Sequence, residues 1–340
     1  MGKPMRNRHP LRFLRRLLLW SMVCGLWTAL SAPAAPAHSE QAAVSVKNYS
    51  PITVDGSLED WVRRLEGADW AGRLQVKRGD VLDRLRAAPI PVNALTARVV
   101  SGTVEPPGDF SARVYTLWDA ERLYVAAVVT DDDVVTQHAQ RDIWQDDGLE
   151  LWLDCRHDAV TRALQQDDEY HLGLSPASRL RERAVAWAWH NTQAEAVIEA
   201  MEVASAATPT GYLLEASVGW AALRGCAPAL GGMIGFNLSM ADRDGAAPRS
   251  LLLWAGRRPA DPTQFGHLYF GDENGDFHGV DGAAGTALTG YPITLEAGVA
   301  IRSMPLEDTY WYVGANNGKI WWIDKNTPAT RGVHKDFGPG

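Results

Sequence analysis

Apolar and polar residues alternate along most of the chain in short runs, and these runs predict strands. They are Ala112 to Trp118, Leu123 to Val129, Leu149 to Asp154, Tyr170 to Ser175, Ala184 to His190, Ala194 to Val203, Tyr212 to Trp220, Ile234 to Ala241, Ser250 to Trp254 and His267 to Phe270. Successive side chains of a strand point to opposite faces, so a period of two marks a half-buried strand. Ahead of them Val44 to Val54 reads as another strand, and Ser57 with Asp60 makes a capping-box start for one short helix carrying Trp61. Gly67 to Asp109 is less regular and holds Pro89, Pro91, Pro106 and Pro107. It reads as an insertion or long connection, with a helix over Gly79 to Ala88 as one option. Many strands without long helices between them predict an all-β sandwich or barrel.

The two ends of the chain depart from this pattern. Lys3, Arg6, Arg8, Arg12, Arg15 and Arg16 precede the apolar run Leu17 to Leu30, and small residues lead on to Ala35-Pro36-Ala37. That order predicts an export signal over 1–37, cleaved after Ala37, whose apolar run is shorter than the ~20 residues that span a bilayer. The expected location is periplasmic or extracellular, with no membrane attachment after cleavage. Residues 38–50 then read as a spacer and first strand, and 51–270 as the sandwich. At the other end, Tyr269-Phe270-Gly271-Asp272-Glu273-Asn274-Gly275-Asp276-Phe277 recurs as Tyr312-Val313-Gly314-Ala315-Asn316-Asn317-Gly318-Lys319-Ile320. Strand, Asn-Gly turn and strand at a period of 43 residues resemble the blades of pyrroloquinoline-quinone-type β-propellers. Residues 271–340 are therefore expected to form partial, incomplete propeller-like repeats, since two units cannot close a propeller.

Composition is that of an ordinary globular protein, at 46% apolar and 22% charged residues. The formal charge is -8, and since the first 37 residues hold six basic residues and no acid, the rest of the chain carries 27 basic against 41 acidic side chains. A nucleic-acid partner is excluded on that balance, because phosphate must be neutralised. Cys24 lies in the apolar run, and Cys155 and Cys226 would meet an oxidising compartment. Their sequence positions leave open whether they pair. Tryptophan is abundant, at 14 residues, and each ring either fills a core or offers a flat platform.

Candidate chemistry gathers around one strand. In Leu149-Glu150-Leu151-Trp152-Leu153-Asp154, alternation sends the leucines to one face and Glu150, Trp152 and Asp154 to the other. The same rule buries Tyr170, Leu172 and Leu174 and turns His171 outward. Just upstream, Trp144 stands in the polar loop Ile143-Trp144-Gln145-Asp146-Asp147-Gly148. An aromatic face beside fixed hydrogen-bonding groups suits a sugar, which stacks its C–H patch on the ring and offers hydroxyls to donors and acceptors. The serine-nucleophile elbow, the zinc-protease helix and the phosphate loop are absent from the sequence. Asp146, Asp147 and Glu150 offer carboxylates for glycoside hydrolysis, but a catalytic pair needs a set separation across the substrate that clustered acids do not establish. Asp131-Asp132-Asp133 and Asp242-Arg243-Asp244 are oxygen donors for calcium or solvated turn acids.

Six ordered motifs point to one family. Ile52 to Trp61, Val114 to Asp119 with Leu123 to Ala126, Trp144 to Asp154, Gly211 to Ser217, Ile234 to Asp242, and Asp261 to Gly266 together resemble a family 9 carbohydrate-binding module. The resemblance implies a β-sandwich, often with structural calcium, that grips sugar chains and accompanies xylan- or cellulose-degrading enzymes. By it Trp144 corresponds to one of two clamp tryptophans and Glu150 to the sugar-binding glutamate. His171 stands where well-studied members carry an arginine. The second clamp tryptophan is replaced by Pro259, and Arg257 and Arg258 in the same loop offer hydrogen bonds instead. The expectation is an exported, non-catalytic module for soluble β-linked oligosaccharides or polysaccharide chain ends, with Trp144, Glu150, His171 and Arg257 at the site. A larger propeller or a glycosidase is the expected protein partner. Two alternatives stand beside it: a haem-carrying sandwich using Met240, His171 or Met233 as axial ligands, and a scaffold that binds nothing.

Overall fold

The leucines of Leu149 to Asp154 do what their spacing predicts: Leu149, Leu151 and Leu153 enter the main core. The computed structural model describes residues 38–39, 41–61, 89–104, 109–164, 167–189, 192–245, 249–271, 306–307, 310–314, 319–324 and 331–336. The expected export signal, most of the irregular insertion with its optional helix, and both Asn-Gly turns lie outside these residues.

The strands are β1 (Ala42–Lys47), β2 (Ile90–Val92), β3 (Arg98–Ser101), β4 (Phe110–Trp118), β5 (Arg122–Asp131), β6 (Gly148–Asp154), β7 (Glu169–Ser175), β8 (Val185–Trp189), β9 (Met201–Thr208), β10 (Gly211–Gly219), β11 (Met233–Asp242), β12 (Ser250–Leu253) and β13 (Gly266–Gly271). They follow one another in the order β8-β7-β6-β11-β13-β1-β4-β5-β10-β9, with β12 beside β11, β3 beside β12 and β2 beside β4. Pairing is antiparallel except at β1, which runs parallel to both β13 and β4. β1 is thus the seam between two halves. Val114, Val125, Val129 and Leu214 of one half share a core cluster with Leu151, Leu172, Phe236 and Leu238 of the other. Two antiparallel layers with interdigitated inner faces make a β-sandwich. The disulfide Cys155–Cys226 joins the end of β6 to the segment after β10, a sequence separation of 71.

The outer face of β4, β5 and β10 has its own apolar cover. Trp61 and Leu58 pack there with Tyr115, Leu117 and Leu213. Glu215 holds the cover down: its carboxylate accepts from Trp61 Nε1 at 2.8 Å, Gly56 N at 2.9 Å and Asp55 N at 3.0 Å. Gly56 has φ 83° and presses on the Ser205 carbonyl carbon, so both its backbone and its missing Cβ are needed. Trp118 and Trp220 are buried as well, each packed on Phe270.

Three expectations change. The strand predicted to Val54 ends at Lys47, because the Asn48 side chain accepts from Ser50 N at 3.2 Å in a local turn and Pro51 has no N–H to give a ladder. The run Ala194 to Val203 is not one strand but helix α1 (Ala194–Glu199) followed by β9. Alanine and glutamate favour the helix, and Val197 anchors it by burial. In the C-terminal part, the first copy of the recurring motif begins in β13 of the sandwich. The second lies in a separate antiparallel sheet of β14 (Leu306–Glu307), β15 (Tyr310–Gly314), β16 (Lys319–Asp324) and β17 (Arg331–Asp336). The described parts of the two copies therefore occupy different sheets, while β15 and β16 pair as the strand-turn-strand reading requires.

Candidate functional site

The face of β6, β7 and β8 opposite the core carries a row of rings. Trp152 and Trp189 are the cross-strand neighbours of His171, and the imidazole is sandwiched between the two indoles, with centroids 3.5 Å from Trp152 and 4.4 Å from Trp189. Gly173 makes this possible. A Cβ there would lie 2.3 Å from Trp189 Cη2, so only glycine lets the second indole lie across the strand. His171 does face away from the core, as alternation predicts, yet it is buried under its neighbours rather than exposed.

These rings floor a cavity of about 410 Å³, within the usual range for small-ligand sites, whose lining also includes Arg141, Trp144, Glu150, Arg249, Leu251, Pro259 and Ala260. Glu150 sits in it with both oxygens engaged: Arg249 Nη1 donates to Oε1 at 2.8 Å and His171 Nε2 lies 3.0 Å from Oε2. Burial pushes the Glu150 carboxyl upward, but the hydrogen bonds and charges of His171 and Arg249 outweigh it and hold the group below the usual carboxylate value. The carboxylate is thus ionised, oriented and left with lone pairs on each oxygen for further donors.

Trp144 is 46% exposed, a large apolar ring facing solvent beside this cavity. It rides on the 3-10 turn Gln140–Gln145, which begins at Gln140 with φ 51° and is pinned where Trp189 Nε1 donates to the Arg141 carbonyl at 2.9 Å. The Arg249 guanidinium lies 5.3 Å from the Trp144 ring centroid, so one arginine orients both the carboxylate and the platform. Behind the turn, Asp146 accepts from His138 N and Arg181 Nη1, each at 3.0 Å, and Asp147 accepts from Val135 N at 2.5 Å and Arg243 N at 2.6 Å. These two acids brace the loop and do not line the cavity, so they do not form a carboxylate pair with Glu150 across it.

Trp144, Glu150 and His171 are brought together. Arg257 is not: it is exposed, does not line the cavity, and its backbone N–H donates to Gln264 Oε1 at 2.9 Å. Arg249 and Arg141 supply the guanidinium groups instead. Trp189 was readable as facing away from the core by alternation through Val185 to Trp189, though not as the partner of His171; Arg249 carries no such signal, because its place depends on how β12 meets β11. Met240 belongs to the core cluster, on the face of the sheet opposite His171, and Met233 is exposed at the start of β11, so the three residues suggested for haem share no site.

A second polar cluster bridges the sandwich halves. Asp131 at the end of β5 meets Asp147 and Asp242, with one carboxylate oxygen of each inside a 4.8 Å group. Burial, with repulsion from nearby acids second to it, pushes Asp147 up to about 9 and Asp131 and Asp242 up to about 7, and Asp131 Oδ2 is buried without a hydrogen-bond partner. Hard oxygen donors with an unsatisfied buried oxygen fit a calcium ion.

Among known proteins, endo-1,4-beta-xylanase A of Thermotoga neapolitana is 24% identical over 177 residues, and that of Thermotoga maritima 23% over 177 residues. Each alignment covers 51% of this chain and 15% of the relative, so the chain spans only a small part of the xylanases it matches. Two solved structures of a carbohydrate binding module family 9 from Caldicellulosiruptor kristjanssonii are similar. The one in complex with cellotriose has a TM-score of 0.47 at 19% identity, covering 68% of this chain and 94% of that one. The one in complex with glucose has a TM-score of 0.45 at 18% identity, covering 68% and 96%. The family model described as carbohydrate family 9 binding domain-like matches residues 89–272, more than half of the sequence, and the chain belongs to that family.

Proposed function

We propose that the cavity beside Trp144 binds a soluble β-linked oligosaccharide or the end of a polysaccharide chain, and that the chain acts as an exported, non-catalytic binding module. The observation that carries this reading is a half-exposed indole set beside an ionised, buried carboxylate in a cavity of sugar-binding size. Trp144 stacks on the sugar ring, Glu150 accepts from hydroxyls, and Arg141 and Arg249 donate to them. His171 fixes the carboxylate. Pro259 gives the cavity a wall but little stacking surface. One aromatic face contributes about 0.5–1.5 kcal/mol beyond area burial, so affinity should be about 2- to 13-fold below that of a module with a tryptophan on both sides. Cleavage after Ala37 and residence outside the cytoplasm are supported by the basic, apolar, A-x-A order of the N-terminus. Structural calcium is placed by the same proposal at Asp131, Asp147 and Asp242, where it would neutralise three crowded carboxylates.

Calorimetric titration of cellobiose and xylo-oligosaccharides into the native protein, Trp144→Ala and Glu150→Gln tests the site. Measurable heat in the native protein alone is expected. Equal binding by all three, or none by any, overturns the reading.

A further inference from the structure

Three histidines meet on the sandwich away from the sugar cavity. His267 on β13 is the register partner of Gly235 on β11, which in turn faces Asp154 on β6. His157, just past β6, lies over that glycine: a Cβ at Gly235 would come within 2.7 Å of His157 Nδ1. The His157 backbone has φ 54°, an unfavourable conformation for a residue with a side chain, fixed by its N–H donating to Asp154 Oδ1 at 2.8 Å. The result places His157 Nε2 2.7 Å from His267 Nδ1. Two nitrogens each bonded at ~2.0 Å to one ion at a right angle would be ~2.8 Å apart. His38 completes the group, its ring centroid 4.1 Å from His157 and 6.3 Å from His267.

Two of the three rings have what a metal-bound imidazole needs, an oxygen acceptor for the nitrogen not facing the ion. The Ser39 carbonyl faces the His267 ring and the Pro262 carbonyl faces the His38 ring, whereas His157 Nδ1 is buried 4.0 Å from Asp154 Oδ2 with no hydrogen-bond partner. His38 Nδ1 is buried and has no hydrogen-bond partner.

We propose that His38, His157 and His267 form a site for a late first-row divalent metal ion, copper(II) above the others, bound through His38 Nδ1, His157 Nε2 and His267 Nδ1. The His38 ring stands farther off, 6.3 Å from His267 between centroids, so binding requires it to turn toward the pair. The ion takes the place of the proton between His157 and His267, and His157 keeps its proton on Nδ1, facing Asp154. If the chain is cleaved after Ala37, as the export reading holds, His38 becomes the first residue and its α-amine is the fourth nitrogen donor. An all-nitrogen set of four suits tetragonal copper(II), which also stands highest in the divalent series. Coordination by the amine releases the proton it carries near neutral pH.

The test uses the exported, untagged protein, its N-terminus read by intact mass, titrated with copper(II) and zinc(II) salts by calorimetry and examined by electron paramagnetic resonance. One copper per chain, nitrogen hyperfine structure and weaker zinc binding are expected. His157→Gln with His267→Gln should weaken copper at least 100-fold, and His38→Ala or retention of Ala37 at least 10-fold. Sugar titration on each variant checks the fold, because none of these residues lines that cavity. Copper bound as tightly by the double variant, or no stoichiometric copper on the native protein, overturns the proposal. Cleavage found at another bond removes the amine donor, and the imidazole trio then stands or falls on the double variant.

Discussion

Trp144 and Trp118 are the same side chain put to different uses, and truncation should separate them. Trp118 is buried against Phe270 with its Nε1 donating to the Gly271 carbonyl at 2.9 Å, so Trp118→Ala should cost about 3 to 5 kcal/mol of stability. Trp144→Ala should change stability by about 0.5 kcal/mol or less while removing sugar binding. Thermal melts paired with titration check this, and equal melting losses would make Trp144 a core residue. Glu150 gives a pH dependence whose sign is fixed by its lowered value. A carboxyl with a folded-state value below its unfolded one adds stability above the unfolded value and loses it as pH falls through the folded value. The melting advantage of native protein over Glu150→Gln should therefore be full near pH 6 and shrink as pH drops below the ordinary carboxylate range. An advantage constant down to pH 3 would contradict the assignment. At this scale the sequence was informative where alternation alone sets direction, as for Glu150 and His171. It was misleading at Arg257, whose loop position says nothing about which way the side chain leaves the turn.

Strands were legible as elements because one core-facing apolar side per strand imposes a period of two in residue type, which holds for β4 to β7 and for β10 and β11 nearly to the residue although the opposite faces of β6 and β7 are covered as well. Ala194 to Val203 was not, since a short apolar stretch satisfies either period and only burial of Val197 decides for the helix. The floor of the cavity was half legible. Trp152 was assigned its face, but its stacking with His171 and Trp189 depends on the pairing of three strands and on Gly173. Gly173→Ala should drive Trp189 off its seat, costing about 1 to 3 kcal/mol as overpacking does and weakening sugar binding in the same variant. A melting curve and a sugar titration like those of the native protein would show that the floor tolerates the methyl group. The disulfide is likewise invisible in sequence, since only the fold brings Cys155 and Cys226 together. Closing a loop of this length is worth about 4 kcal/mol on chain-entropy grounds. Reduction under native conditions should lower the melting temperature markedly, and a Cys155→Ser, Cys226→Ser protein should show the same loss without reductant; a reduced protein that melts like the oxidised one would count against a stabilising bridge.

The sandwich is two layers that share one core and are tied at separate points, by the disulfide and by the acids where β5 of one half meets Asp147 and Asp242 of the other. The two ties differ in kind. A covalent bond acts mainly on the unfolded chain, whereas three crowded carboxylates stabilise the native state only when something compensates their charge. Their raised values show that burial and repulsion oppose ionisation, with desolvation the larger cause for each. At neutral pH a divalent cation shared among them would reverse that penalty and clamp the layers. Binding only to the folded state at 100 times its dissociation constant is worth about 2.7 kcal/mol. For a domain of this size, that corresponds to a rise in melting temperature of roughly 5 to 10 °C. Calcium added to chelator-treated protein should produce such a rise. Asp131→Asn should abolish it while making the metal-free protein more stable than the metal-free native form, because an acid whose ionisation burial and neighbouring charges oppose is gone and the amide can still bond. That opposite pair of shifts is the signature of a cation clamp. If Asp131→Asn destabilises the protein equally with and without calcium, the cluster is ordinary buried structure, and the layers are held together by their core and the disulfide.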